Sequence, residues 1–120
     1  MDGVKVSIKA YTDDIHRYYT GKSNKRVLKN FKRIYEEGIK LSTETVFIPG
    51  CVDVIEIRKI AEFISSVDEN IPLRIDAYWP VSCDDWRAPT REEVLSAVKE
   101  ARKYLNNVSF IAGDESTEGR

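Results

Sequence analysis

Lys9 closes a strand-like run in which a charged or hydroxyl side chain recurs at every second position: Lys5, Ser7, Lys9. Two further segments carry the same alternation, Ser42-Thr43-Glu44-Thr45-Val46 and Arg74-Ile75-Asp76-Ala77-Tyr78. Side chains alternate faces along a strand, so the polar residues of each segment form one continuous lining. A lysine near the carboxyl end of a strand needs an anion. That anion is either a ligand carboxylate, held by a charge-assisted hydrogen bond, or Glu44 and Asp76 in an internal ion-pair network. On the pattern alone both readings stay open. Parallel α/β proteins bind ligands at the carboxyl ends of their strands, which directs attention to the residues just beyond each segment. After the first come Asp14-Ile15-His16 and Thr20-Gly21-Lys22-Ser23-Asn24; after the second, Ile48-Pro49-Gly50-Cys51-Val52-Asp53; after the third, Tyr78-Trp79-Pro80.

Structural roles account for several of these residues. His16 is the single histidine and has no second histidine or thiol cluster for a triad or a metal site, so it is expected to anchor the Tyr11–Gly21 turn by hydrogen bonding. Thr20, Gly21 and Asn24 suit turn and cap chemistry. Asp53, with Glu56 three positions on, reads as the N-cap of a capping box. Cys51 and Cys83 are the two cysteines; they form no zinc or iron–sulfur pattern and are expected to be reduced thiols. Asp84-Asp85-Trp86-Arg87 lies in the last loop.

The elements that would position these groups can be read from periodicity and punctuation. Val4–Ala10 reads as a strand, and Tyr11–Gly21 as a polar turn with one helical turn. Ser23 is expected to cap a helix with Val27, Leu28, Phe31, Ile34 and Tyr35 on one face, stopped by Gly38. Ile39–Ile48 is the second strand. The helix opened by Asp53 presents Ile57, Ile60, Ala61, Ile64 and Val67. Leu73–Trp79 is the third strand, and Pro80–Pro89 a longer loop. Thr90 with Glu93 caps a third helix along Val94, Ala97, Val98, Ala101 and Leu105, and Val108–Ile111 is a short fourth strand. Residues 1–112 form one domain, and 113–120 are expected to be a disordered tail.

Such alternation, βαβαβαβ, implies a parallel sheet with right-handed crossovers. A doubly wound sheet needs both faces apolar, which the charged rows contradict. The expected fold is therefore α/β, a parallel βαβαβαβ arc equivalent to a partial, half TIM-type barrel, with helices on one side. Four strands cannot close a barrel, so exposed edges are expected to favour homo-oligomers.

Composition narrows the partners. The 120 residues carry 19 basic and 20 acidic side chains, which gives no reason to expect nucleic acid or an anionic membrane. The basic stretch Lys22–Arg33 is balanced by Glu36, Glu37 and the other acids and reads as a solvated helix face. No apolar run approaches a membrane span and no signal peptide is evident, so the expected location is the cytoplasm.

Taken in order, these motifs carry a resemblance. Lys9, then His16 with Thr20-Gly21 and Asn24, then Ile48-Pro49-Gly50 with a carboxylate at Asp53, then Tyr78-Trp79-Pro80 resemble the C-terminal part of radical S-adenosylmethionine enzymes. The group resembled is the pyruvate formate-lyase activating enzymes and their archaeal relatives, and the match runs from about Val4 to Ile111. The resemblance implies that Lys9 contacts the methionine portion of S-adenosylmethionine. It implies that Ile48, Gly50 and Asp53 pack against the adenine, and that Tyr78 is the tyrosine of the family's Tyr-His pair. Ser7 stands where the family carries an aspartate, Glu44 where it often carries an arginine, and Trp79 where it carries the histidine. The family's Cys-x-x-x-Cys-x-x-Cys loop, which holds a [4Fe–4S] cluster, does not occur in these residues; the resemblance places it before Met1.

The resemblance therefore implies a larger parent protein. That parent would use S-adenosylmethionine and a [4Fe–4S] cluster to generate a 5′-deoxyadenosyl radical, acting on a glycyl radical enzyme or a small-molecule substrate. This segment alone is expected to be inactive and to hold neither group tightly. The alternative is a stand-alone, non-catalytic α/β domain that binds a small polar ligand or a protein partner.

Overall fold

The computed structural model describes residues 3–79, 87–111 and 117–118. Among the described residues nine elements occur in order: β1 (Val4–Ser7), α1 (Asp13–Thr20), α2 (Lys25–Glu36), β2 (Leu41–Phe47), α3 (Val54–Val67), β3 (Leu73–Ala77), α4 (Arg91–Ala101), β4 (Val108–Ile111) and β5 (Thr117–Glu118). The strands lie side by side in sequence order. β1 to β4 are parallel, and β5 joins antiparallel to β4.

The two faces of this sheet are unlike. Along β2 every second residue, Leu41, Thr43, Thr45 and Phe47, is buried, and the residues between them are half-exposed. Leu73 and Ile75 of β3 and Val108 and Phe110 of β4 continue the buried side. They share one core with Phe31 of α2, with Ile57, Ile60, Ala61 and Ile64 of α3, and with Val94, Ala97 and Val98 of α4. Facing the other way, Arg74 and Asp76 of β3 and Ser109 and Ile111 of β4 are half-exposed. This is the expected arc, helices against one side and a polar row on the other.

Local departures have identifiable causes. β1 ends at Ser7 rather than Ala10: the Ile8 amide still reaches the Glu44 carbonyl (3.0 Å), but the next peptides are held by side chains instead. The expected turn after β1 contains an eight-residue helix, α1, closed by Gly21 at φ 80°. α2 starts one residue later than a Ser23 cap would place it, with Asn24 at the N-cap position and no side-chain cap bond. The Ser23 hydroxyl donates to Asp13 Oδ1 (2.8 Å) and accepts from the Lys25 amide (3.2 Å), so it still serves the helix start as expected. β3 stops at Ala77, two residues short of the expected Trp79. At α4 the Thr90–Glu93 capping box forms as expected.

Cys83, Asp84, Asp85 and Trp86 lie outside the described residues. So does most of the stretch 113–120 expected to be disordered, but Thr117–Glu118 within it is the fifth strand. No helix among the described residues is long and apolar enough to cross a membrane.

Candidate functional site

Parallel register brings the polar positions into rows across the uncovered face. Ser7 pairs with Glu44, Glu44 with Arg74, and Arg74 with Ser109; Val46, Asp76 and Ile111 form the next row. Arg74 organises this surface. Its Nη2 lies 3.1 Å from Glu44 Oε2, and its Nε and Nη2 donate to the two Asp76 oxygens at 2.8 and 3.0 Å. A planar guanidinium can grip one carboxylate in a fork while reaching another across the strand. The Asp76 hydrogen bonds, and then the charges of Asp76 and Glu44, hold the guanidinium above the ordinary arginine range.

An internal charge network therefore exists, but Lys9 is not in it. Both carboxylates that the sequence offered to Lys9 are taken by Arg74. Lys9 is half-buried just beyond β1 and makes no ion pair among the described residues. Sequence reasoning missed Arg74 as the partner, although its place between Glu44 and Asp76 on the polar row was readable.

The loop after Lys9 is held from two sides. The buried Glu56 of α3 (3% exposed) accepts from the Tyr11 and Thr12 amides at 2.5 and 2.6 Å and from the Thr12 hydroxyl at 2.8 Å. The equally buried Asn24 donates to the carbonyls of Ala10 (3.2 Å) and Tyr11 (2.5 Å). The capping-box reading of Glu56 is thus replaced: at α3, Asp53 accepts from Val54 while Glu56 reaches 45 residues back along the chain. His16 anchors the same region as expected, with Nδ1 2.6 Å from the Lys22 carbonyl. Arg17, the Asn24 amide and Ser23 together push the Asp13 carboxyl well below the usual range.

After β2 the chain makes a tight turn. The Cys51 amide donates to the Ile48 carbonyl (2.9 Å), with Pro49 and Gly50 at the corner and Gly50 at φ 80°. That is the left-handed value a type II turn requires at its third residue. Asp53 Oδ2 accepts from the Gly50 amide (2.7 Å), so one carboxylate ties the turn to the helix start. Gly50 and Asp53 are exposed. Ile48, expected to offer an apolar surface, is fully buried in the core, and Tyr78, expected on the polar row, is 8% exposed and packs with the core. Alternation stops predicting a face once the strand has ended at Ala77. Trp79, by contrast, is 66% exposed.

The two cofactors implied by the resemblance meet different donor sets. Lys9 fits a ligand carboxylate. Three thiolates for a cluster are absent from the sequence, and no group of three metal-ligating side chains occurs among the described residues. Burial, and then the Glu56 charge, push the Cys51 thiol up, away from the thiolate a cluster needs. These residues do not fit the cluster.

No family model matches the chain. In sequence it is 38% identical over 114 residues to a Methanocaldococcus jannaschii protein named "Putative glycyl-radical enzyme activating enzyme", covering 91% of this chain and 44% of that protein. Over this stretch the chain is thus similar to a protein named as an activating enzyme of glycyl-radical enzymes. A pyruvate formate-lyase-activating enzyme of Staphylococcus epidermidis is 30% identical over 114 residues, covering 88% of this chain and 45% of the relative. The chain thus spans less than half the length of the curated relatives it matches. In structure it is similar to a domain of a pyruvate-formate lyase-activating enzyme from Bacteroides vulgatus, with TM-score 0.78 and 20% identity over 91% of this chain and 66% of that one. A radical SAM methyltransferase from Sphaerobacter thermophilus has the same fold over 90% of this chain and 33% of its own length (TM-score 0.70, 18% identity).

Proposed function

We propose that this chain forms the S-adenosylmethionine-facing wall of an enzyme of the activating-enzyme type, whose cluster ligands come from outside these 120 residues. The observation that carries the reading is the state of Lys9. It is a half-buried cation two residues past the end of β1, and its two plausible internal partners are already bound to Arg74. A cation so placed is set up to receive a ligand carboxylate.

Lys9 would hold the carboxylate of the cofactor's methionyl group, with Ser7 and the Glu44–Arg74–Asp76 triad as the polar floor nearby. The exposed Gly50 turn and Asp53 would meet the nucleoside from the neighbouring strand end. Ile48 and Tyr78 support that turn from within the core rather than by ligand contact. The cluster, when bound, supplies one-electron cleavage chemistry; the residues of this chain bind and orient. In the complete enzyme, a glycyl radical enzyme or a small molecule is the substrate.

Isothermal titration calorimetry of S-adenosylmethionine into the isolated chain tests this division of labour. Binding weaker than micromolar is expected, because half of the wall is missing. Micromolar or tighter binding would overturn the reading that the site is completed from elsewhere.

A further inference from the structure

Lys9 lies beyond the last residue of β1, where no ladder partner fixes the backbone. The peptides just after it are nevertheless fixed at both polarities. Their amides at Tyr11 and Thr12 bond to Glu56, and the carbonyls of Ala10 and Tyr11 accept from Asn24. Both side chains come from distant elements, and both are buried. A buried carboxylate satisfied by two amides and a hydroxyl is costly to rearrange, since each amide would be left without an acceptor. Ala10, between Lys9 and this clamp, is fully buried, so little slack remains.

We propose that Glu56, with Asn24 in support, is a positioning residue for Lys9, setting where its ammonium meets the ligand carboxylate. This rests on the reading of Lys9 given above. Glu56 touches no ligand; it acts through the Tyr11–Thr12 peptides. The Glu56→Gln side chain keeps an oxygen for the two amides, whereas Glu56→Ala removes it.

An NMR titration of the 120-residue chain with millimolar S-adenosylmethionine, and separately with its decarboxylated analogue, tests the proposal. In the parent chain the Lys9 side-chain signals should move with S-adenosylmethionine and much less with the analogue. Glu56→Ala should weaken S-adenosylmethionine binding about 10-fold and leave the analogue unchanged, the size expected when one charge-assisted hydrogen bond is misaligned. Glu56→Gln should recover most of that loss. Equal weakening for both ligands in Glu56→Ala and in Asn24→Ala would mean a general structural role and overturn the proposal. So would no weakening at all. Should Lys9 fail to respond in the unaltered chain, the functional reading itself falls; should Lys9 respond while Glu56→Ala keeps its preference for the carboxylate, only the positioning role falls.

Discussion

The two faces of the sheet are built from the same strands and stabilised by different means. On the helix-covered face Phe47, Leu73, Ile75 and Phe110 lose nearly all contact with water, and stability comes from apolar area removed from solvent. On the open face Glu44, Arg74 and Asp76 keep 28%, 33% and 22% of their side-chain exposure, and they are held by mutual charge and hydrogen bonding. The covered face is a finished interior. On the open one Lys9 is a half-buried cation with no ion pair among the described residues, and that makes the face a candidate surface for a ligand.

Truncation should separate the faces by size of effect. Phe47→Ala is expected to cost about 3–5 kcal/mol in urea unfolding, from lost transfer energy and the cavity left behind. A cost below about 1 kcal/mol would mean the covered face is loosely packed. Arg74→Ala should cost only about 1 kcal/mol, because the triad is partly solvated. That loss should shrink in molar salt, which screens the charges of a partly exposed triad. An unchanged loss in molar salt would show that Arg74 acts by packing rather than charge.

An exposed pair in the covering layer gives a control for charge effects away from the sheet. The Arg87 hydrogen bonds, then the Thr90 amide, push the Glu93 carboxyl down to about 2 from 4.5. A carboxylate depressed on folding adds stability above its unfolded value and loses it as pH falls through its folded one. Glu93→Gln should therefore flatten the pH dependence of the melting temperature between about 4.5 and 2, the window those two values define. The smallest effect is expected at Lys9. With no ion pair among the described residues to abandon, Lys9→Ala should change stability by less than about 0.5 kcal/mol, while the Glu56 variants probe its ligand. A large loss would place Lys9 inside the charge network after all.

Two identical local patterns show how far sequence reasoning reaches. Thr90 with Glu93 and Asp53 with Glu56 both have capping-box spacing. The first forms as written, with Arg87 bonded to the same carboxylate at the partly exposed helix start. The second is overridden, since the Tyr11 and Thr12 amides lie within reach of Glu56 in a buried setting. An amide at an exposed helix start can turn to water; a buried one cannot, so the carboxylate goes where its absence would cost more. The same holds for Asn24, legible as a cap but used to hold two carbonyls of the β1 loop.

Short-range signals were enough to establish the alternation of strands and helices, the right positions for most turns, and the unequal polarity of the two sheet faces. They suffice because period, cap and turn chemistry act over a few residues. Which carboxylates Arg74 would take, that Lys9 would be left over, and that Glu56 would reach back to the first loop were decided by the tertiary structure. Those contacts join residues 30 and 45 positions apart, and only the folded register determines which of several possible partners a charge meets.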